Sequence, residues 1–465
     1  MIIINKISNK IYFIALHQHY ILIIHYNSAT SLPFIRSFIQ ETMSKKQTAS
    51  AQTSVEAILV INCGSSSVKF SLIQPESGVS LLSGLAECLT TPQAIIKIKH
   101  TVGIDNKKQI EKSALVAPFD HQVALNTLLN KLVQLNLADN IIAVGHRVVH
   151  GGEHYAQPTL INAGVKNNIE KLAKLAPLHN PANLIGINVC QQAFATLPQV
   201  AVFDTAFHQS MPEKAFLYGI PFKLYQEHSI RRYGFHGTSH YFVANQAAKL
   251  MNKPLEQCNL ISAHLGNGCS VTVIKEGQSV DTSMGMTPLE GVMMGTRSGD
   301  IDASIIFHLV EQLGFSVEEV STLLNKKSGL LGLSELSNDC RTLETAMLDK
   351  SHPQSTQAKL ALTVFCYRIA KSIASYSASL SELDGLIFTG GIGENSSWVR
   401  QEIVNQLGLL NFHLCEEMNQ ATRFGTSGNI AINTSRPCWV IATNEEWVIA
   451  EQTAQLLTSN TVGKL

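Results

Sequence analysis

The feature that most constrains this chain is a design that occurs twice. Residues 57 to 62 (AILVIN) and 69 to 74 (KFSLIQ) are short apolar runs flanking the turn CGSSSV. Residues 259 to 277 (NLISAHLGNGCSVTVIKEG) repeat the order strand, glycine-rich turn, strand, with Gly266 and Asn267 standing where the first copy has Gly and Ser. An approximate duplication predicts two related α/β halves, each opening with a hairpin whose turn faces a shared cleft. Further strand candidates lie at 141 to 149, 200 to 204, 385 to 390 and 439 to 443, with helical patterns between them. The longest of these, Thr356 to Leu380, repeats apolar residues at three- and four-residue spacings without Gly or Pro, which predicts an amphipathic helix. Strands alternating with helices give a mixed α/β architecture. The hinge is expected near Asp204, giving one domain from 55–204 plus 443–465 and a second from 205–442.

A chain of 465 residues with 45% hydrophobic and 15% charged positions has the material for two cores. Thirty-five basic residues balance thirty-five acidic ones, so no net field draws it to nucleic acid or an anionic membrane, and small molecules are the expected partners. Nine scattered cysteines without a CxxC pair read as reduced, cytosolic thiols. The first 42 residues differ in composition, and their apolar run is broken by His17, Gln18 and His19, too short and polar for a membrane span. Met43, followed by SKKQTASAQTS, reads as the start of the native chain, and residues 1–54 as an unstructured or non-native extension.

Neither GxxxxGK[ST] nor a GxGxxG after a strand occurs, which disfavours a P-loop or Rossmann enzyme. Three separate glycine-rich turns follow apolar strands instead: CGSSSVK (63 to 69), HLGNG (264 to 268) and FTGGIGEN (388 to 395). Each alone reads as a hairpin turn, but together they can present backbone N–H groups to a polyphosphate. Asn62 and Lys69 flank the first turn as candidate ligand contacts. GHRVVHGGEHY (145 to 155) spaces His146, His150 and His154 by four residues; the paired glycines 151 and 152 argue against a helical metal face and for strand then turn. Arg147 within that apolar run must be paired or bind an anion. Arg297, in GVMMGTRSGD, either pairs with Asp300 or Asp302 or binds an anion as well. Asp204 ends a strand and His236 occupies a turn, each with a structural or a functional role open. Glu445 and Glu446 after the last strand suit a hard cation or a helix N-terminus.

Read together, ten ordered blocks resemble the acetate kinase family from about residue 57 to 455. They are NCGSSSVKF, GHRVVHGGEHY, APLHNPANLIGI, VFDTAFHQSMP, RRYGFHGTSH, HLGNGCSV, DTSMGMTPLEGVMMGTRSGDID, SGLLGLSELSNDCR, FTGGIGEN and TNEE. The resemblance implies duplicated RNase H-like domains of the sugar kinase, Hsp70 and actin superfamily around an ATP cleft, in a cytoplasmic homodimer. It implies reversible phosphoryl transfer from ATP to acetate, with Mg²⁺, or Mn²⁺ in its place, as cofactor. By that likeness Asn62 and Glu445 sit at the metal. Lys69, His264, Leu265, Gly266, Asn267, Gly268, Asp339, Cys340, Arg341, Gly390, Gly391, Ile392, Gly393 and Glu394 contact ATP. Arg147 binds the substrate in an acyl pocket of Val149, Leu178, Phe235 and Pro288. Asp204 is the essential acidic residue, and His236 with Arg297 stabilise the transition state. Cys269, Ala442 and Trp447 depart from the family's usual residues. Propionate kinase and a non-catalytic nucleotide-binding regulator are the competing expectations.

The chemistry agrees with these roles. A carboxylic acid with a pKa of about 4 to 5 is already ionised at neutral pH, so the nucleophile needs no general base. The obstacle is repulsion between carboxylate and γ-phosphate, which cationic side chains relieve.

Overall fold

The computed structural model describes residues 2–7, 10–17, 20–26, 55–102, 107–177 and 179–462. Met43 and Leu178 lie outside them. Residues 1–55 and 56–465 form separate units. The first unit, expected to be without structure, contains three strands paired antiparallel in sequence order: β1 (Ile2–Ile7), β2 (Lys10–His17) and β3 (Tyr20–Tyr26).

Two mixed sheets organise the second unit. One contains β4 (Ala57–Cys63), β5 (Val68–Ile73), β6 (Ser80–Glu87), β7 (Ile95–Val102), β8 (Lys107–Ala114), β9 (Ile141–Val148), β10 (Thr159–Leu160) and β11 (Gln199–Phe203), in the order β10-β11-β9-β4-β5-β6-β7-β8. The other contains β12 (Asn259–Leu265), β13 (Cys269–Lys275), β14 (Gln278–Thr282), β15 (Gly385–Thr389), β16 (Gly428–Asn429) and β17 (Cys438–Val440), in the order β14-β13-β12-β15-β17-β16. The segments β6-β5-β4-β9-β11 and β14-β13-β12-β15-β17 have one plan. Three antiparallel strands lead, and two parallel strands are added beside the first of them. The duplication seen in the hairpin sequences therefore extends to five strands per half.

Strand period explains how both faces of each sheet are covered. On β4, Leu59 and Ile61 pack with helices α1 (His121–Gln134) and α2 (Asn180–Ala193), whereas Ile58 and Val60 face the C-terminal helix. On β12, Ile261, Ala263 and Leu265 join one large apolar core, and Leu260 packs on the other side against α3 (Gly237–Met251). Ser262 and His264 share that second face with Leu260, so β12 turns a polar edge towards α3 without breaking its alternation. The remaining helices used below are α4 (Cys340–Leu348), α5 (Ser355–Tyr376), α6 (Gly390–Asn395) and α7 (Glu445–Val462). Helix α5 occupies most of the periodic stretch at 356 to 380 and buries Leu362, Phe365, Ile369 and Ile373. Helix α7 returns to the first sheet, with Ile449 and Ala450 packed among residues of β4, β9 and β11. The 388–395 segment differs from expectation: Gly390–Asn395 is a short helix rather than an open turn. Gly390 opens it at φ +77°, and a Cβ there would meet the Leu265 carbonyl at 2.8 Å.

Candidate active site

Three neighbouring strands of the first sheet end together. Because β4 and β11 both pair in parallel with β9, Asn62, Arg147 and Asp204 emerge at the carboxyl edge of the sheet, where open α/β folds bind ligands. Arg147 Nη2 donates to Asp204 Oδ2 at 2.8 Å, and Nη1 lies 3.4 Å from Asn62 Oδ1. Arg147 Nε is buried and has no partner, leaving a donor of the guanidinium unused. Asp204 is 1% exposed and also accepts the His236 amide at 3.1 Å and the Thr238 hydroxyl at 3.0 Å. Burial opposes its charge, but Arg147 and these donors outweigh it and hold the carboxyl below its ordinary range. Burial likewise works against Arg147, and Asp204 with Glu445 more than offsets it. An aspartate so held is a fixed anion that orients Arg147, not a proton acceptor.

The second half contributes His236, which precedes α3 in the left-handed region at φ 58°. Its ring stacks on His264 with centroids 4.2 Å apart. Burial first, then His264, His240, Arg147 and Arg297, push its pKa well below the usual value, so it is neutral at pH 7. Arg297 Nη1 donates to the Pro288 carbonyl at 2.5 Å. Neither aspartate considered as its partner takes it, since Asp300 accepts the Gly291 amide and Asp302 the Ser304 amide. Among the described residues no carboxylate forms an ion pair with Arg297, and burial lowers its pKa. Gly268 lies between the two catalytic candidates. A Cβ on it would stand 2.7 Å from Arg297 Nη2 and 3.4 Å from His236 Nε2.

His179, at the start of α2, was not singled out from the sequence, although it lies in the APLHNPANLIGI block. After burial, the charges that lower its pKa are Arg147 and Arg297, and Asp204 opposes them. One imidazole therefore feels a cation from each half. The three four-spaced histidines do not converge: His146 is buried against Gln199 in β9, His150 packs edge-on to Tyr233 and Phe235, and His154 is exposed.

The apolar pocket candidates are buried together in part. Val149 and Phe235 join one cluster with Met284 and Met293, and His208 Nε2 pins the Phe235 carbonyl at 2.9 Å. Pro288 is half-buried and seats Arg297 through its carbonyl. Leu178 falls outside the described residues.

Of the nucleotide candidates, the HLGNG turn and the start of α6 adjoin each other: a Cβ on Gly266 would lie 4.0 Å from the Gly391 amide nitrogen, and one on Gly391 would meet nothing within 4 Å. Gly393 is buried and Ile392 half-buried. Glu394 turns back to accept the Gly390 amide at 3.0 Å and the Thr443 amide at 3.2 Å, so its carboxylate ties α6 to the TNEE segment. The side chains of Leu265 and Cys340 turn inward. Both are buried in the apolar core, and burial raises the Cys340 thiol pKa, leaving only backbone to offer a ligand. Asp339 caps α4 and pairs with Arg341 at 2.7 Å at the rim of an open cavity of about 510 Å³. Adjacent Asn338 reaches Asn267 Oδ1 at 2.9 Å, linking that rim to the HLGNG turn. Lys69 forms an ion pair with Glu446.

Glu445 opens α7. The N-capping task falls to Asn444, whose side chain accepts the Trp447 amide at 3.2 Å. Burial, with Asp204 and Glu446 beside it, lifts the Glu445 carboxyl to about 7 against the pull of Arg147 and Lys69. Among the described residues no three His, Cys, Asp or Glu side chains form a complete metal cage. Asn62, Glu445 and Glu446 are all oxygen donors, a set suited to a hard cation that takes its other ligands from substrate and water.

Comparison with known proteins fits this geometry. The acetokinase family model matches residues 57–451. An acetate kinase of Shewanella sp. (strain MR-4) is 55% identical over 403 residues, covering 86% of this chain and 98% of that protein. A propionate kinase structure from Francisella tularensis superposes with a TM-score of 0.79 at 44% identity, covering 85% of this chain and 98% of the other. An acetate kinase structure from Porphyromonas gingivalis has the same TM-score, 0.79, at 38% identity, covering 86% of this chain and all of the other. The chain is a member of the acetokinase family.

Proposed function

We propose that this protein is an acetate kinase that transfers the γ-phosphoryl group of ATP directly and reversibly to the acetate carboxylate. The observation that carries the reading is the placement of Arg147 and Arg297, one from each half, around the same two imidazoles, with no carboxylate pairing with Arg297 among the described residues. Two anions must meet for this reaction, and a pair of cations, one oriented by Asp204 and one without a carboxylate partner among the described residues, meets that need. In this scheme Arg147, fixed by Asp204, receives the carboxylate. Arg297 and neutral His236 receive the charge that develops on the transferring group, and Val149 and Phe235 receive the methyl. ATP lies along the HLGNG turn and the start of α6, with Asp339 and Arg341 beyond.

Mg²⁺ held by Asn62 and Glu445 would supply charge neutralisation to the phosphates when bound. The raised carboxyl of Glu445 supports this, since a buried carboxylate with surplus negative neighbours is stabilised by a cation. The described cysteines are all free thiols, which supports a cytoplasmic setting. A homodimer is supported by the helix Ser304–Glu311, which buries none of its residues and exposes Ile305, Ile306 and Phe307 alongside Ile301 and Leu313. The buried Phe235 ring, against which His150 packs edge-on, favours acetate over propionate; one methylene in an apolar pocket is worth about 1–3 kcal/mol. The test is kcat/KM for acetate, propionate and butyrate with Mg-ATP, trapping the acyl phosphate with hydroxylamine. Acetate should lead. Propionate in front would reassign the pocket, and ATP binding without any hydroxamate would refute a kinase.

A further inference from the structure

Behind His236 lies a chain of hydrogen bonds that enters no part of the phosphoryl-transfer scheme. His236 Nδ1 is 2.8 Å from Ser270 Oγ, Ser270 Oγ is 2.7 Å from His240 Nε2, and His240 Nδ1 is 2.5 Å from Ser262 Oγ. Ser262, His240 and Ser270 are each fully buried. Each serine has one hydroxyl hydrogen and two lone pairs and each neutral imidazole one N–H, so three arrangements keep every link: all protons directed from His236 towards Ser262, all directed the opposite way, or Ser270 accepting from both rings. If His236 donated from Nδ1, either the Ser262 or the Ser270 hydroxyl would have no acceptor left among the described residues. Leaving a buried donor unpaired costs about 1–3 kcal/mol. In the opposite polarity Ser262 donates to His240, His240 to Ser270 and Ser270 to His236, and every hydrogen is used.

We propose that Ser262, His240 and Ser270 form a relay of fixed polarity that holds His236 as the neutral tautomer protonated at Nε2. That nitrogen has no protein partner among the described residues and sits beside Gly268 and the Arg297 guanidinium. It is thereby a hydrogen-bond donor where an anionic oxygen is expected; the other tautomer would present a lone pair to it. The stacked His264 is set the other way. Ser239 gives its hydrogen to Thr443 at 2.9 Å, so His264 Nδ1 must donate to Ser239 at 2.8 Å, leaving Nε2 as an acceptor. Ser262, His240 and Ser270 are positioning residues, acting through His236. The tautomer follows from hydrogen-bond satisfaction alone, while its catalytic consequence rests on the phosphoryl-transfer reading.

Long-range ¹H–¹⁵N correlation spectra of the full chain at neutral pH test the first part, with His236→Asn and His264→Asn assigning the signals. His236 should show a protonated Nε2 and a lone-pair Nδ1, and His264 the reverse; His236 protonated at Nδ1 overturns the proposal. Ser270→Ala should shift the His236 nitrogens towards a tautomer mixture and lower kcat about tenfold, with KM for acetate and ATP within about twofold. Ser270→Thr, which keeps the hydroxyl, should recover most of that loss. If Ser270→Ala does not fold, Ser262→Ala carries the same test two links further away. Unchanged His236 signals in a folded variant contradict the relay. Wild-type protein without any phosphoryl transfer would sink the kinase reading while the spectra still decided the tautomer.

Discussion

Arg297 and Asp204 show how much a side chain's partners determine its role. Among the described residues Arg297 is held by the Pro288 carbonyl and by no carboxylate, so its charge is available to a ligand. We expect Arg297→Ala to lower kcat on the order of 10² or more, as loss of a transition-state charge contact does; near-normal turnover would remove it from the site. Asp204 is the opposite case, a carboxylate saturated by three donors. Asp204→Asn should therefore impair carboxylate binding and turnover through a misplaced Arg147, and wild-type rates should show little solvent deuterium effect. A large isotope effect that disappears in Asp204→Asn would mean that the aspartate moves a proton. The charged site residues were legible in the sequence because arginines and carboxylates at strand ends are costly unless used. His179 was not, since a lone histidine ahead of a helix gives no sign of the two arginines that the fold brings near it. Which atoms of Cys340 and Leu265 face outward was not legible either, because a motif names a residue without saying which way it points.

At the scale of the element, the two hairpins were readable from turn chemistry and alternating apolar runs, and so was α5 from its helical period. Strands β6 to β8 were not: their alternation is loose, with exposed polar and charged positions such as Gln109, Glu111, Lys112 and Ser113. Nor was the helix at Gly390–Asn395, because four residues of GGIGEN are poor helix formers. There tertiary contact decides, through the close approach of Gly390 to Leu265 and the return of Glu394 to the helix start. Glycine is required in the HLGNG turn for a similar reason. Gly268→Ala would drive a methyl into the space between Arg297 and His236, and should lower kcat at least about tenfold with the fold retained. Gly391→Ala meets no protein atom, so thermal stability should hold while KM for ATP rises. Equal effects from both substitutions would contradict the placement of ATP along these turns.

For the whole molecule, the duplicated plan brings Arg147 and Asp204 of one half close to His236 and Arg297 of the other, and several histidines are buried within it. His146, His150, His208 and His264 each have a folded pKa near 4 against an ordinary 6.5, with burial as the leading cause. Between those values the unfolded chain binds more protons, so their contribution is full above pH 6.5 and is lost as pH falls towards 4. Each group costs up to about 1.4 kcal/mol per pH unit in that window. Chemical denaturation between pH 7 and 4.5 should therefore show a steep fall in stability, and a flat profile would mean these rings are hydrated. The Ser304–Glu311 helix makes a second prediction at this scale: Phe307→Glu should shift sedimentation from dimer to monomer, and a wild-type monomer would contradict the dimer outright.

In the proposed reaction acetate attacks the γ-phosphorus directly, with the protein supplying charge and position and no covalent link. Turnover of ATP made chiral at the γ-phosphorus with oxygen isotopes, followed by configurational analysis of the acetyl phosphate formed, tests this most directly. In-line transfer predicts inversion at phosphorus. Retention would require a phosphorylated side chain between two displacements, and would contradict the roles of Arg147, Arg297 and His236 in a single direct transfer.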